Sequence, residues 1–165
     1  MPVRHKLQSE LTRLLGFSSR TPRSILLKSG SQNQMEIDLT AVDSMSCSVS
    51  EIRILVPALV NAGFDDLKKW SDDLCNRITY LLEGIGPLEL DPNSSTVLIR
   101  STKPEKDTGH LRYYEIMLQA QSGGNFTLHR YEYNDEASQR KKVDLKLTHE
   151  ILRKLVNDLF DSIPE

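Results

Sequence analysis

The sequence predicts an α+β fold: an antiparallel sheet with helices packed mainly on one face. Three observations carry this. Two stretches repeat apolar residues at helical spacing, one from Leu67 to Leu82 and one from Ile151 to Phe160. Two long β-rich runs, 111–121 and 125–134, are joined by Ser122-Gly123-Gly124. The strands come in groups between helices instead of alternating with them one for one, which is not the order of a parallel βαβ sheet.

Taken in order, Leu7, Leu11, Leu14 and Leu15 share one stripe and predict a short amphipathic helix over 4–15, closed by Gly16. Residues 16–34 are polar around Ile25-Leu26-Leu27 and read as a connection holding at most one short strand. The chain is therefore divided into a basic N-terminal helix and polar connection, 1–34, and an α+β globular region, 35–165, within a single domain overall. Met35, Ile37, Leu39 and Ala41 alternate with polar residues, as in a strand buried on one face. Residues 45–56 add one or two strands of unreadable register. Asp65 or Asp66 is the expected N-cap of a helix whose stripe is Leu67, Trp70, Leu74, Ile78, Leu81 and Leu82, stopped by Gly84. Short extended runs at 88–90 and 97–101, a charged turn at 104–109 and the long hairpin follow. Val143, Leu145 and Leu147 then alternate up to Thr148, the expected N-cap of a last helix built on Ile151, Leu152, Leu155, Val156, Leu159 and Phe160.

Charge narrows the function. Lys and Arg number 21 against 23 Asp and Glu, far from the basic balance of a non-specific nucleic-acid binder. The balance is uneven: Arg4, Lys6, Arg13, Arg20, Arg23 and Lys28 face Glu10 alone in residues 1–34. A solvated helix and polar connection is the preferred reading, ahead of an organellar transit peptide or a patch for anionic partners. No apolar core follows the charged start, and the apolar run from Ile54 to Val60 is broken by Pro57. That run is far shorter than the ~20 residues of a membrane span, so a cytoplasmic protein without membrane partners is expected. Cys47 and Cys75 lack zinc-site spacing and read as buried thiols in a reducing compartment.

Motifs with chemistry are sparse. Walker-type loops, nucleophile elbows, H-E-x-x-H pairs and dinucleotide fingerprints are absent. Gly84-Ile85-Gly86 closes a helix instead of opening one. The four histidines, His5, His110, His129 and His149, show no metal-ligand spacing, so no metal or cofactor is expected. Asp72 and Asp73 lie four residues beyond Lys68 and Lys69 and read as a solvated helix face. Arg140-Lys141-Lys142, after Asp135 and Glu136, reads as an exposed loop.

The hairpin is the constellation with functional content. A three-residue loop at 122–124 places Gln121 opposite Asn125, Met117 opposite His129 and Glu115 opposite Tyr131. One face then collects Ile116, Leu118, Ala120, Phe126 and Leu128 for the core. The other carries Tyr113, Glu115, Met117, His129, Tyr131 and Tyr133, with Gln119 and Thr127. Tyrosines, a soft methionine and a titratable histidine give contact area and hydrogen bonds together, as recognition surfaces do. The plainer reading is that tyrosine favours strands and stacks across them.

The leading expectation is a non-catalytic protein-interaction or binding module that uses this face, an edge strand or the basic amphipathic start to hold a protein partner or a second copy. A small enzyme with a dispersed site, His129 as base beside Glu115 and a tyrosine, is the runner-up. A nucleic-acid surface is disfavoured, because Glu115 interrupts the aromatic face and no Arg or Lys lies between 113 and 119. The order helix, three strands, helix, strands, helix is similar to that of type III secretion chaperones, which would imply an adaptor; the similarity lies in element order alone.

Overall fold

Strand residues of one parity and the apolar stripes of the helices meet in a single core. The structure, a computed structural model, describes residues 2–30, 32–59, 63–120 and 125–164. Among these, the elements run α1 (Val3–Arg13), β1 (Ser18–Ser29), β2 (Asn33–Val42), β3 (Ser46–Leu55), a 3₁₀ turn at Pro57–Leu59 and α2 (Phe64–Arg77). They continue with β4 (Ile85–Asp91), β5 (Thr96–Ser101), β6 (Glu105–Asp107), β7 (His110–Gln119), β8 (Asn125–Asn134), β9 (Gln139–Val143), β10 (Leu145–Thr148) and α3 (His149–Ser162). The ten described strands form one sheet in the order β1-β2-β3-β8-β7-β5-β4, with β10 on β3, β6 on β7 and β9 on β8. All pairings are antiparallel.

Met35, Ile37, Leu39, Ile52, Ile54, Ile116, Leu118, Phe126 and Leu128 are buried on one sheet face with Leu7 and Leu11 of α1, Leu67, Trp70 and Leu74 of α2, and Leu152, Leu155 and Leu159 of α3. Trp70 packs on Phe126 with ring centroids 6.0 Å apart, and its indole N–H donates to Ser162 Oγ at 3.0 Å. That bond satisfies a donor whose burial would otherwise cost stability. Thr148 caps α3, its Oγ1 accepting from the Ile151 amide at 3.1 Å. The expected fold class is therefore what the chain adopts.

Several expectations give way. Residues 18–29 are not a connection but a twelve-residue strand. It was hidden because β1 is an edge strand whose first seven residues are exposed, so no alternation marks them. Residues 46–55 form one strand. Helix α2 is capped at Gly63 with no side-chain bond and stops at Arg77. Ile78 and Leu81 are still buried but Leu82 is 75% exposed, so the stripe marked burial beyond the helix itself. The 104–109 turn contains β6, and Arg140-Lys141-Lys142 lies in β9 against β8, where Glu132 and tyrosines oppose its charges.

The β7–β8 register also differs. Gln119, not Gln121, pairs with Asn125, so Met117 opposes Thr127, Glu115 opposes His129 and Tyr113 opposes Tyr131. The Ala120 amide bonds the Ser95 carbonyl at 3.1 Å, and the ladder ends at Gln119, two residues earlier on β7 than expected. Each partner moves by two positions, an even number, so both faces keep their expected residues. The expected turn at 122–124 lies outside the described residues.

Beyond Ile52 and Leu128 the strands β3 and β8 part company. β9 pairs with β8 from Arg130 to Asn134, and β10 pairs with β3 from Ser46 to Val49. One stretch of chain thus fills the fork, turning at Asp144, whose Oδ2 accepts from Thr40 Oγ1 at 2.7 Å.

Candidate functional site

Alternation sends every second residue of the sheet to the face away from the helices, and these registers bring together side chains from seven strands. Tyr113, Glu115, Met117, His129, Tyr131 and Tyr133 all lie on this face, as expected from the hairpin. Tyr113 and Tyr131 stack across β7 and β8 with centroids 5.8 Å apart, and His129 lies 5.8 Å from Tyr131. Met117 and Tyr133 are partly exposed, the first opposite Thr127 and the second opposite Leu111 and, on β9, Arg140.

Neighbouring strands add charges that the hairpin alone does not reveal. Arg100 of β5 and Arg140 of β9 both donate to Glu115 Oε2, at 3.1 and 2.7 Å. The Arg140 guanidinium stacks 3.9 Å over Tyr131 and that of Arg100 4.9 Å over Tyr113. Arg140 also donates to the Tyr113 hydroxyl at 3.4 Å. These contacts leave Glu115 only 8% and Tyr113 only 6% exposed.

On the other side of the fork a second cluster forms. Arg53 of β3 binds Asp38 at 2.7 Å, Glu36 at 2.6 Å and Glu51. Ser24 Oγ donates to Asp38 at 2.6 Å, and His129 Nε2 hydrogen-bonds Glu51 Oε1 across the opening between β3 and β8. The hydrogen bond from Arg53 holds the Asp38 carboxyl below its ordinary range against the opposing effect of burial. Burial acts to raise the Glu51 carboxyl, but hydrogen bonds from Arg53 and His129 outweigh it and the net shift is downward. The Tyr131 phenol is raised by burial, with Arg140 pulling the other way.

The face is therefore divided. Over β2 and β3 three carboxylates surround one arginine; over β5, β7 and β9 two arginines surround one carboxylate; the stacked tyrosines and His129 lie between. His129 is tied to Glu51 and Glu115 to two arginines, so the pair imagined for proton transfer is engaged elsewhere. Glu51, Arg53, Arg100 and Arg140 were not foreseen. Their parity could be read only once β3, β5 and β9 were in register with the hairpin.

A separate ionic cluster sits on the helix side of the sheet. Arg130, 4% exposed, binds Glu83 at 3.1 Å, reaches Glu105 at 3.4 Å and stacks 4.2 Å over Tyr114. Among the described residues no group of three or more His, Cys, Asp or Glu could hold a metal ion, and no helix is long and apolar enough to cross a membrane. Comparison with protein-family models, curated proteins and solved structures finds no match to this chain.

Proposed function

We propose that this protein is an interaction module whose helix-free sheet face binds a protein partner, and that the partner the charges suit best is a second copy. The observation that carries the reading is the division of that face. An acidic cluster centred on Arg53 and a basic cluster centred on Glu115 flank stacked tyrosines, so a two-fold contact would bring each cluster against its opposite. Tyrosine and arginine supply contact area at low entropic cost and are favoured in interface centres. The catalytic alternative draws less support, because His129 and Glu115 spend their hydrogen bonds on Glu51 and the arginines.

Glu36 offers a clean test, since its side chain is 47% exposed and its reversal leaves the core untouched. Glu36→Arg is expected to lower the molar mass measured by light scattering after gel filtration toward that of a monomer, with an unchanged circular dichroism spectrum. Raised salt acts in the same direction on the wild type. A wild-type mass that neither Glu36→Arg nor salt alters counts against a charge-guided self-contact.

A further inference from the structure

We infer that the outer edge of β1, with the groove between it and α1, docks an acidic extended segment of a protein partner by strand addition. The two edges of the sheet are built differently. At β4, Pro87 has no N–H to offer, and the register with β5 shifts between Pro87 and Glu89, devices that discourage a further strand. At β1 the irregularity and Pro22 come before Arg23. From Arg23 to Ser29 the strand then pairs residue by residue with β2, from Arg23 opposite Leu39 to Ser29 opposite Asn33. That is a regular edge of about 20 Å with no proline or bulge. Among the described residues no strand lies on its outer side.

Beside this edge α1 leaves a groove of about 400 Å³ lined by Val3, Lys6 and Glu10 from the helix and Leu26 and Lys28 from the strand. Leu26 is 42% exposed, an apolar side chain pointing into solvent on an edge strand. A strand beside a helix, with a partly apolar groove between, is the geometry in which an extended peptide gains affinity from main-chain hydrogen bonds and specificity from side-chain pockets.

Charge selects the segment. The basic residues that dominate 1–34 all fall on α1 or β1: Arg4, Lys6 and Arg13 on the helix, Arg20, Arg23 and Lys28 on the strand. Glu10 engages Lys6 at 3.3 Å and Arg13 at 2.6 Å, while Lys28 pairs with no acid among the described residues. An incoming strand alternating acidic and β-branched residues brings carboxylates to Lys6 and Lys28 and apolar side chains to the groove lined by Val3 and Leu26. Lysines on an edge also repel other edges, so the same residues that keep β1 from pairing with basic or neutral strands make it selective for acidic ones.

The probe is a fluorescein-labelled heptapeptide alternating valine with glutamate, titrated with the full chain by fluorescence anisotropy. Saturable binding is expected, weakened tenfold or more when alternate peptide amides are N-methylated and when Lys6 and Lys28 are both changed to glutamate. Lys6 and Lys28 are exposed, so the double variant keeps its fold, and the N-methylated peptide tests strand addition on the unaltered protein. Binding to Tyr131→Glu should equal wild type, which separates this edge site from the contact centred on the tyrosines. No saturable binding up to millimolar protein, equal affinity for the N-methylated peptide, or indifference to the charge reversal would each overturn the inference.

Discussion

At Arg53 one guanidinium meets three carboxylates, and the arrangement sets a pH dependence that can be derived with its sign. Asp38 and Glu51 titrate below their ordinary values of 3.8 and 4.5 in the folded protein. Their contribution is complete above those values and disappears as pH falls through the lowered folded ones. Arg53→Met should therefore be less stable than wild type at pH 7, with the gap closing as pH drops below about 4. Melting temperatures across that range check it; a constant gap would mean Arg53 acts through packing. Arg130 makes the opposite kind of pair, since it and Glu83 are both 5% exposed. Glu83→Ala strands a buried guanidinium and should cost about 3–5 kcal/mol in urea melts. A loss under about 1 kcal/mol would show that Glu105 alone suffices. Neither pairing was legible in the sequence. The six residues of the aromatic face were, because alternation within the hairpin fixes which side each takes even when the register is off by an even number.

At the level of elements, legibility followed the contrast between buried and exposed positions. The run 125–134 and the last helix were read to within a residue or so, since every second or every third to fourth residue is apolar. β1 and β9 were missed for one reason: edge and fork strands bury little, so Ser18 to Ser24 and Gln139 to Lys142 carry no alternation. The stripe of α2 overran its helix because burial continues through Ile78 and Leu81 after the backbone has turned away. Within the helix the phase is firm: Leu74 is fully buried beneath the sheet. Leu74→Ala should cost about 2–5 kcal/mol from lost transfer energy and a residual cavity. A urea melt showing a loss below about 1 kcal/mol would place that turn of α2 at the surface.

At the scale of the whole fold, the three helices of the described residues cover one face of a large antiparallel sheet, and the other face is paved by its own arginines, tyrosines and acids. Such paving keeps a wide β surface hydrated, yet its charges are sorted into two territories when scattering them would serve solubility better. That sorting is the central argument for a partner on this face. Tyr131 lies at the boundary, its ring under Arg140 and beside Tyr113 and His129. Tyr131→Glu removes the ring and cancels the charge of Arg140, two features the proposed contact would use, while altering no core residue. Sedimentation velocity over a wide concentration range compares this variant with wild type directly. The account predicts a wild-type dimer that becomes a folded monomer on substitution; a wild type that stays monomeric throughout, or a variant that sediments identically as a dimer, would contradict it.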